Sequence, residues 1–202
     1  MIGLLLARRH RTVSVTGIEL HPELAGFAGR NARANALDDR CRIIRGDLRA
    51  APRFLPPEHF HRVVANPPYR RPGTGAAPPD PCRAGARQEL TFTLADLAGT
   101  AAAMLRFGGT LCVIHLAERL PELCAALENC RLTPKRLRLV AARADAAPRL
   151  CLVSAVKGAR PGLAVQPHLV LHDRGGRYTE EVAALLRNED GGKAGDRQKT
   201  PT

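Results

Sequence analysis

Four residues, Asn66-Pro67-Pro68-Tyr69, follow directly on the apolar run Val63-Val64-Ala65 and precede a long stretch rich in Pro, Gly and Arg. The two prolines remove two backbone N–H donors and fix φ, so the segment is stiff and its carbonyls are free to face a ligand. Asn66 adds a carboxamide oxygen and an NH2, and Tyr69 a flat aromatic face. Acceptors clustered beside an aromatic plate suit a planar molecule that bears an amino group. Polar groups at the end of a buried strand are also where an open α/β fold places its site. The same tetrapeptide reads equally well as a Pro-containing turn after a strand, and alone it does not separate the two.

The rest of the chain supplies a frame for that strand. The opening run Ile2 to Ala7 reads as the tail of a helix. Val13 to Glu19 reads as a buried strand ending in an acid, and Pro22 to about Ala36 as a helix with Leu24, Phe27 and Ala28 on one face. Cys41 to Arg45 and Arg62 to Ala65 are short strands, the first ended by Gly46-Asp47 and the second delivering the tetrapeptide. Thr93 to Phe107 has a helical stripe, Leu94, Leu97, Ala98, Ala101 and Leu105, with Gly108-Gly109 as its stop. Leu111 to Leu116 is apolar nearly throughout and reads as a central strand, and Pro121 to Asn129 as a helix.

Leu137 to Ala141 and Leu150 to Val156 have no helix between them, so an antiparallel pair at a sheet edge is expected. Leu163 to Leu171 adds an irregular extended piece, and Thr179 caps a last helix to Arg187. The expected architecture is a doubly wound α/β sheet with helices on both faces and a reversed terminal pair, one domain over 1–187 and a disordered tail over 188–202. Parallel strands would bring Glu19, Asp47 and Asn66 to one rim.

Composition narrows the partners. A net charge of +12 and a pI near 10.5 favour an anionic partner, nucleic acid first. Residues 131 to 160 alone hold eight Lys or Arg against the single acid Asp145, a net of +7. The six cysteines form no C-x-x-C pair, which argues against zinc and against a disulfide framework and places the chain in a reducing, cytoplasmic setting. His59, His61 and His115 lack a suitably spaced third ligand, so no metal is expected. The apolar start is too short to span a bilayer, so no membrane partner is expected.

Taken together, Thr16-Gly17-Ile18-Glu19, Gly46-Asp47, Asn66-Pro67-Pro68-Tyr69, Ala86-Arg87-Gln88-Glu89, Glu118-Arg119-Leu120-Pro121 and Gly176-Arg177-Tyr178-Thr179-Glu180-Glu181 resemble a known family. It is that of the class I S-adenosylmethionine-dependent methyltransferases acting on amino groups, most similar to bacterial tRNA adenine-N6 methyltransferases that modify the base beside the anticodon of a valine tRNA. The resemblance implies a Rossmann-like sheet, S-adenosylmethionine as cofactor and tRNA as substrate, and leaves the oligomeric state unspecified. It implies that Glu19 accepts from the two cofactor ribose hydroxyls and that Asp47 reads the cofactor adenine, with the Leu48 amide as partner. Asn66 and the Pro67 carbonyl would accept both hydrogens of the substrate amine, and Tyr69 would stack on the flipped base.

Substrate-side residues would include Pro68, Arg70, Arg71 and Arg87 in a mobile Pro- and Gly-rich cover, and Lys135, Arg136 and Arg138 against the tRNA backbone. Gln88 stands where the family often has His. The family begins with a strand and a Gly-rich turn around the methionine part of the cofactor, and Met1-Ile2-Gly3-Leu4 resembles the helix just after that turn. A chain starting at Met1 is therefore expected to be N-terminally truncated and to bind cofactor weakly. Three rivals share these features in part: a methyltransferase acting on a glutamine amide of peptide release factors, a DNA adenine methyltransferase, and a non-catalytic RNA-binding remnant.

Overall fold

A computed structural model describes residues 2–69 and 92–187 of the chain. The expected cover Arg70 to Arg87, with Arg70, Arg71, Arg87 and Gln88, and the expected tail from 188 lie outside these residues.

The first unit is a helix and a βαβ element: α1 (Ile2–Arg9), β1 (Val15–Glu19), α2 (Pro22–Ala34) and β2 (Cys41–Arg45). β1 and β2 pair in parallel with Glu19 opposite Arg45. Pro22 opens α2 at a position that needs no N–H, and the chain leaves the helix through Asn35 and Ala36, the latter at φ 51°. Ala7, Ala32, Leu37 and Cys41 form a small core that joins α1, α2 and β2. The strand begins two residues later than Val13 and the helix ends two before Ala36, both ordinary shifts of an element boundary.

A 3-10 turn, Leu48–Arg53, then leads to β3 (Phe60–Ala65). After it come α3 (Leu94–Met104), β4 (Leu105–Leu116), α4 (Leu120–Asn129), β5 (Leu132–Ala141), β6 (Leu150–Lys157), β7 (Ala164–Val170) and α5 (Glu180–Arg187). Among the described residues β1 and β2 form one sheet and the other strands a second, in the order β3-β4-β6-β5-β7. β6 runs antiparallel to β4 and β5, while β3 is parallel to β4 and β7 to β5. The carboxyl ends of β3, β4, β5 and β7 therefore share one rim.

Three expectations are corrected. The helix expected over Thr93 to Phe107 stops at Met104, because Leu105 pairs with Phe60 and starts a strand twelve residues long. Thr93 is its N-cap, in a reciprocal capping box with Asp96. Gly108-Gly109, expected to stop the helix, lies within β4, where the register slips between Phe60 and Arg62. Gly108 takes φ 73° there, and a Cβ on Gly109 would lie 2.8 Å from the Arg106 carbonyl oxygen. The antiparallel pair is found, but β6 lies inside the sheet. The piece over Leu163 to Leu171 contains a regular strand, β7, that holds the edge, where Pro167 is tolerated.

β4 is central, yet its burial alternates. Leu111 and Val113 join Leu137, Cys151, Val153 and Ala155 under Leu94, Leu97, Ala98 and Ala101 of α3 and Leu123 and Leu127 of α4. α5 lies on the other face, where Arg138, the neighbour of Leu137, pairs with Glu181 at 2.7 Å. The two sheets are linked by a third cluster, Ala51, Leu55 and Met104, with Ile18, Ile44 and Phe60 packed around it. Leu48 touches both this cluster and the main core. No helix among the described residues is long and apolar enough to cross a membrane.

Gly109→Ala is expected to destabilise the fold by about 1–3 kcal/mol, since its Cβ meets backbone oxygens that cannot step aside. Gly99→Ala, in α3 with open space around it, is expected to gain up to about 1 kcal/mol from helix propensity. Urea midpoints of the two variants moving in the same direction would contradict this assignment of the 105–110 segment.

Candidate active site

β3 ends at Ala65, opposite Val113, and hands the chain to Asn66-Pro67-Pro68-Tyr69 on the shared rim. Pro67 is buried and Tyr69 half-buried, while Asn66 and Pro68 are exposed. The Asn66 carboxamide has no hydrogen-bond partner among the described residues. Tyr69 is braced from two sides. Its carbonyl accepts a 2.9 Å hydrogen bond from Nη1 of Arg119, and its ring meets His115 edge to face with centroids 5.5 Å apart.

Arg119 follows β4 in a short 3-10 turn, Ala117–Arg119, and is only 8% exposed. Its charge is balanced by Glu122, with Nε donating to Oε2 at 3.0 Å and Nη2 to Oε1 at 2.6 Å. Two parallel charge-assisted bonds fix the plane of the guanidinium, so the remaining nitrogen is aimed at Tyr69. His115 is fully buried, and neither ring nitrogen has a hydrogen-bond partner among the described residues. Burial, helped by the nearby charge of Arg119, holds its pKa below the ordinary imidazole value, so it is a neutral packing group beneath the tyrosine. Sequence reasoning gave Arg119 no role and passed over Glu122. The available signal was an Arg–Glu pair three apart opening a helix, which is indistinguishable from a surface ion pair until the fold buries it.

Glu19 and Asp47 come together at the carboxyl end of the β1–β2 pair, where the Gly46 N–H donates to the Glu19 carbonyl at 2.9 Å. One Glu19 carboxylate oxygen accepts the His21 N–H at 2.9 Å, and the other has no partner among the described residues. Asp47 caps the 3-10 turn by accepting the Arg49 N–H and is also gripped by the Arg49 guanidinium, with Nη2 to Oδ2 at 2.6 Å. These hydrogen bonds hold its carboxyl below the usual range. Arg49, two residues past a recognised acid, is a second residue that the sequence reading missed. Leu48 is the first residue of the turn, so its N–H has no carbonyl within the turn to bond.

The basic residues of 131–160 do not form a single patch. Arg136 is exposed on β5, Lys135 reaches the Arg160 carbonyl at 3.3 Å, and Arg138 is shared between Glu181 and the Pro167 carbonyl. The Lys157 ammonium donates to the Ala102 and Leu105 carbonyls at the end of α3 and to Glu58, a structural post.

The buried neutral His115 makes stability depend on pH. Its folded-state pKa lies below its unfolded value, so this contribution is fully present above that value and is lost as the pH falls through the range below it. Urea midpoints should therefore fall more steeply between about pH 7 and pH 5 for the unaltered chain than for His115→Leu. Parallel curves would show that His115 takes up its proton without unfolding.

No family model matches the chain. It is 31% identical to a tRNA1(Val) (adenine(37)-N6)-methyltransferase of Porphyromonas gingivalis over 190 residues, 92% of this chain and 73% of that protein. The crystal structure of a predicted O-methyltransferase, protein Atu636 from Agrobacterium tumefaciens, superposes with a TM-score of 0.74 at 27% identity, over 92% of this chain and 83% of that one. TrmN from Thermus thermophilus shares the fold at a TM-score of 0.53 and 23% identity, over 77% of this chain and 40% of that one. With a Rossmann-like class I methyltransferase sheet and 92% of its own length matched to the Porphyromonas gingivalis relative at 31% identity, the chain belongs to the tRNA1(Val) adenine-N6 methyltransferase family.

Proposed function

We propose that this chain acts in the cytoplasm and transfers a methyl group from S-adenosylmethionine to the exocyclic amine of adenine 37 in a valine tRNA. The observation that carries the reading is the Asn66 carboxamide, which has no protein partner among the described residues and stands at the end of β3 beside a braced aromatic ring. The match with the Porphyromonas gingivalis relative supports the choice of tRNA and base.

The residues at the end of β1–β2 fit the cofactor in part. Glu19 has one carboxylate oxygen without a protein partner among the described residues, which suits hydroxyl donors. Asp47 can read an amino group only when the Arg49 guanidinium moves aside, and the Leu48 N–H is the neighbouring donor. When bound, S-adenosylmethionine supplies a methyl group made electrophilic by its sulfonium.

The chain's own residues then have to prepare a poor nucleophile, because an adenine amine delocalises its lone pair into the ring. Asn66 and the Pro67 carbonyl accept the two amine hydrogens off the base plane, which favours a pyramidal nitrogen with its lone pair facing the methyl. These acceptors are in place before reaction, so little reorganisation accompanies charge development. The nitrogen would gain the methyl group as the bond from that carbon to the sulfonium sulfur breaks, the electron pair staying on sulfur, and would afterwards release one proton to solvent, so no strong base is needed before attack. Tyr69 stacks on the flipped base, held at the right height by Arg119 and His115. Pro68 borders the same base, with Arg70, Arg71 and Arg87 as phosphate contacts. Lys135 and Arg136 contact the tRNA backbone, and Arg138 joins them only by leaving Glu181.

Asn66→Ala is expected to abolish transfer of radiolabelled methyl to unmodified valine tRNA while leaving tRNA affinity nearly unchanged. Activity retained within about tenfold, roughly 1.4 kcal/mol, would show that Asn66 is not the acceptor.

A further inference from the structure

The strand order places a second aromatic group on the rim that carries Tyr69. Leu116 at the end of β4 lies opposite Leu150 of β6, Leu150 opposite Val140 of β5, and Val140 opposite Leu169 of β7. The loops after β4, β5 and β7 therefore emerge side by side. The chain has only two tyrosines and no tryptophan. One is Tyr69, and the other, Tyr178, stands in the loop after β7.

That loop is a rigid tip. Asp173 Oδ1 accepts the N–H groups of Gly175 at 2.8 Å and Arg177 at 3.0 Å, and Gly176 turns the chain at φ 78°. The His172 N–H donates to the Ala142 carbonyl at 3.0 Å, locking the tip to the β5–β6 loop. His172 and Tyr178 are stacked, with centroids 5.1 Å apart and planes 21° apart, yet Tyr178 remains 55% exposed. Arg143, Arg149, Arg174 and Arg177 on the two loops are all exposed, against the acids Asp145 and Asp173. Both acids sit in exposed pairs, Arg143–Asp145 at 3.8 Å and Arg177–Asp173 at 3.3 Å, which contribute little and yield readily to phosphate. Arg149 and Arg174 have no ion-pair partner among the described residues.

We propose that the tips of the 142–149 and 172–178 loops form a second RNA contact. In it the outer face of Tyr178 carries an unpaired base of the substrate, and Arg174 and Arg177 hold the adjoining phosphates. An open aromatic face backed by a second ring, among arginines on a rigid support, is the arrangement that binds single-stranded RNA with little loss of side-chain freedom. From β3 to β7 is four strand spacings, ~19 Å, which a stacked strand rising ~3.4 Å per nucleotide covers in about six steps. The ledge thus reads nucleotides several positions away from the base at Tyr69. It contributes substrate affinity and register, separately from methyl transfer, and it rests on the reading of the chain as a tRNA methyltransferase.

The test is fluorescence anisotropy of an unmodified valine tRNA transcript against the full chain, Tyr178→Ala, Tyr178→Phe and the double variant Arg174→Ala/Arg177→Ala, over a salt series. Tyr178→Phe should bind within about twofold and Tyr178→Ala about tenfold or more weaker. The double variant should lose about 1.4–1.8 from the slope of log affinity against log salt. Thermal midpoints read alongside separate loss of contact from loss of fold, and Tyr178→Phe preserves the stack. In the methyl-transfer assay the change should fall on KM for tRNA, with kcat unaltered. If the unaltered chain binds tRNA and all variants match it, the ledge is wrong while the tRNA reading stands. If the unaltered chain does not bind tRNA, both fall.

Discussion

The site depends on the pairing of β3 with β4. Their parallel register sets Ala65 opposite Val113, so the tetrapeptide that follows β3 emerges two residues short of His115 on the neighbouring strand. That offset lets a side chain from β4 reach the Tyr69 ring and lets Arg119, just past the strand, reach its carbonyl. A one-residue slip would turn His115 to the opposite face and leave the tyrosine without its floor. The slip is opposed by the core itself, since it would also expose Leu111 and Val113.

Polar and apolar groups divide the work at this corner. Glu122 neutralises Arg119, which allows a guanidinium to be almost fully buried where an unpaired charge would be prohibitive. His115 stays neutral because its surroundings penalise the charged form. The tetrapeptide is rigid through its own prolines and through these neighbours, while the Asn66 carboxamide has no hydrogen-bond partner among the described residues. At the other corner Arg49 occupies the Asp47 carboxylate, so under the proposed function cofactor recognition there competes with an internal ion pair. Under the proposed function the two corners differ in readiness, since Asn66 has no protein partner among the described residues and Asp47 has one to exchange.

The charge pattern is reinterpreted by the fold. A run with a net +7 reads as one electrostatic surface, but its members point to different ends and faces of β5 and β6. Lys157 closes the end of α3 and Arg138 ties α5 to the sheet, both through hydrogen bonds that hold the side chain inward. Charge along a chain attracts RNA only where the head groups remain in solvent.

Local chemistry determined much of the protein before any folding. The Pro-Pro stiffening after Val63-Val64-Ala65, the helix start at Thr93, the acids closing β1 and β2 and the antiparallel β5–β6 pair all follow from neighbours in sequence, and the tetrapeptide and the two acids were among the residues that carried the family resemblance. The helix stop assigned to Gly108-Gly109 failed because a glycine pair serves a helix terminus and a strand bulge equally, and only the partner strand at Phe60 decides between them. The edge of the sheet was misplaced for a similar reason: an irregular, Pro-containing run becomes β7 only when β5 offers it a ladder. Arg119, fifty residues from Tyr69, acquired its place only in three dimensions, because burial and a long-range hydrogen bond are properties of the packed chain and leave no local periodicity to read.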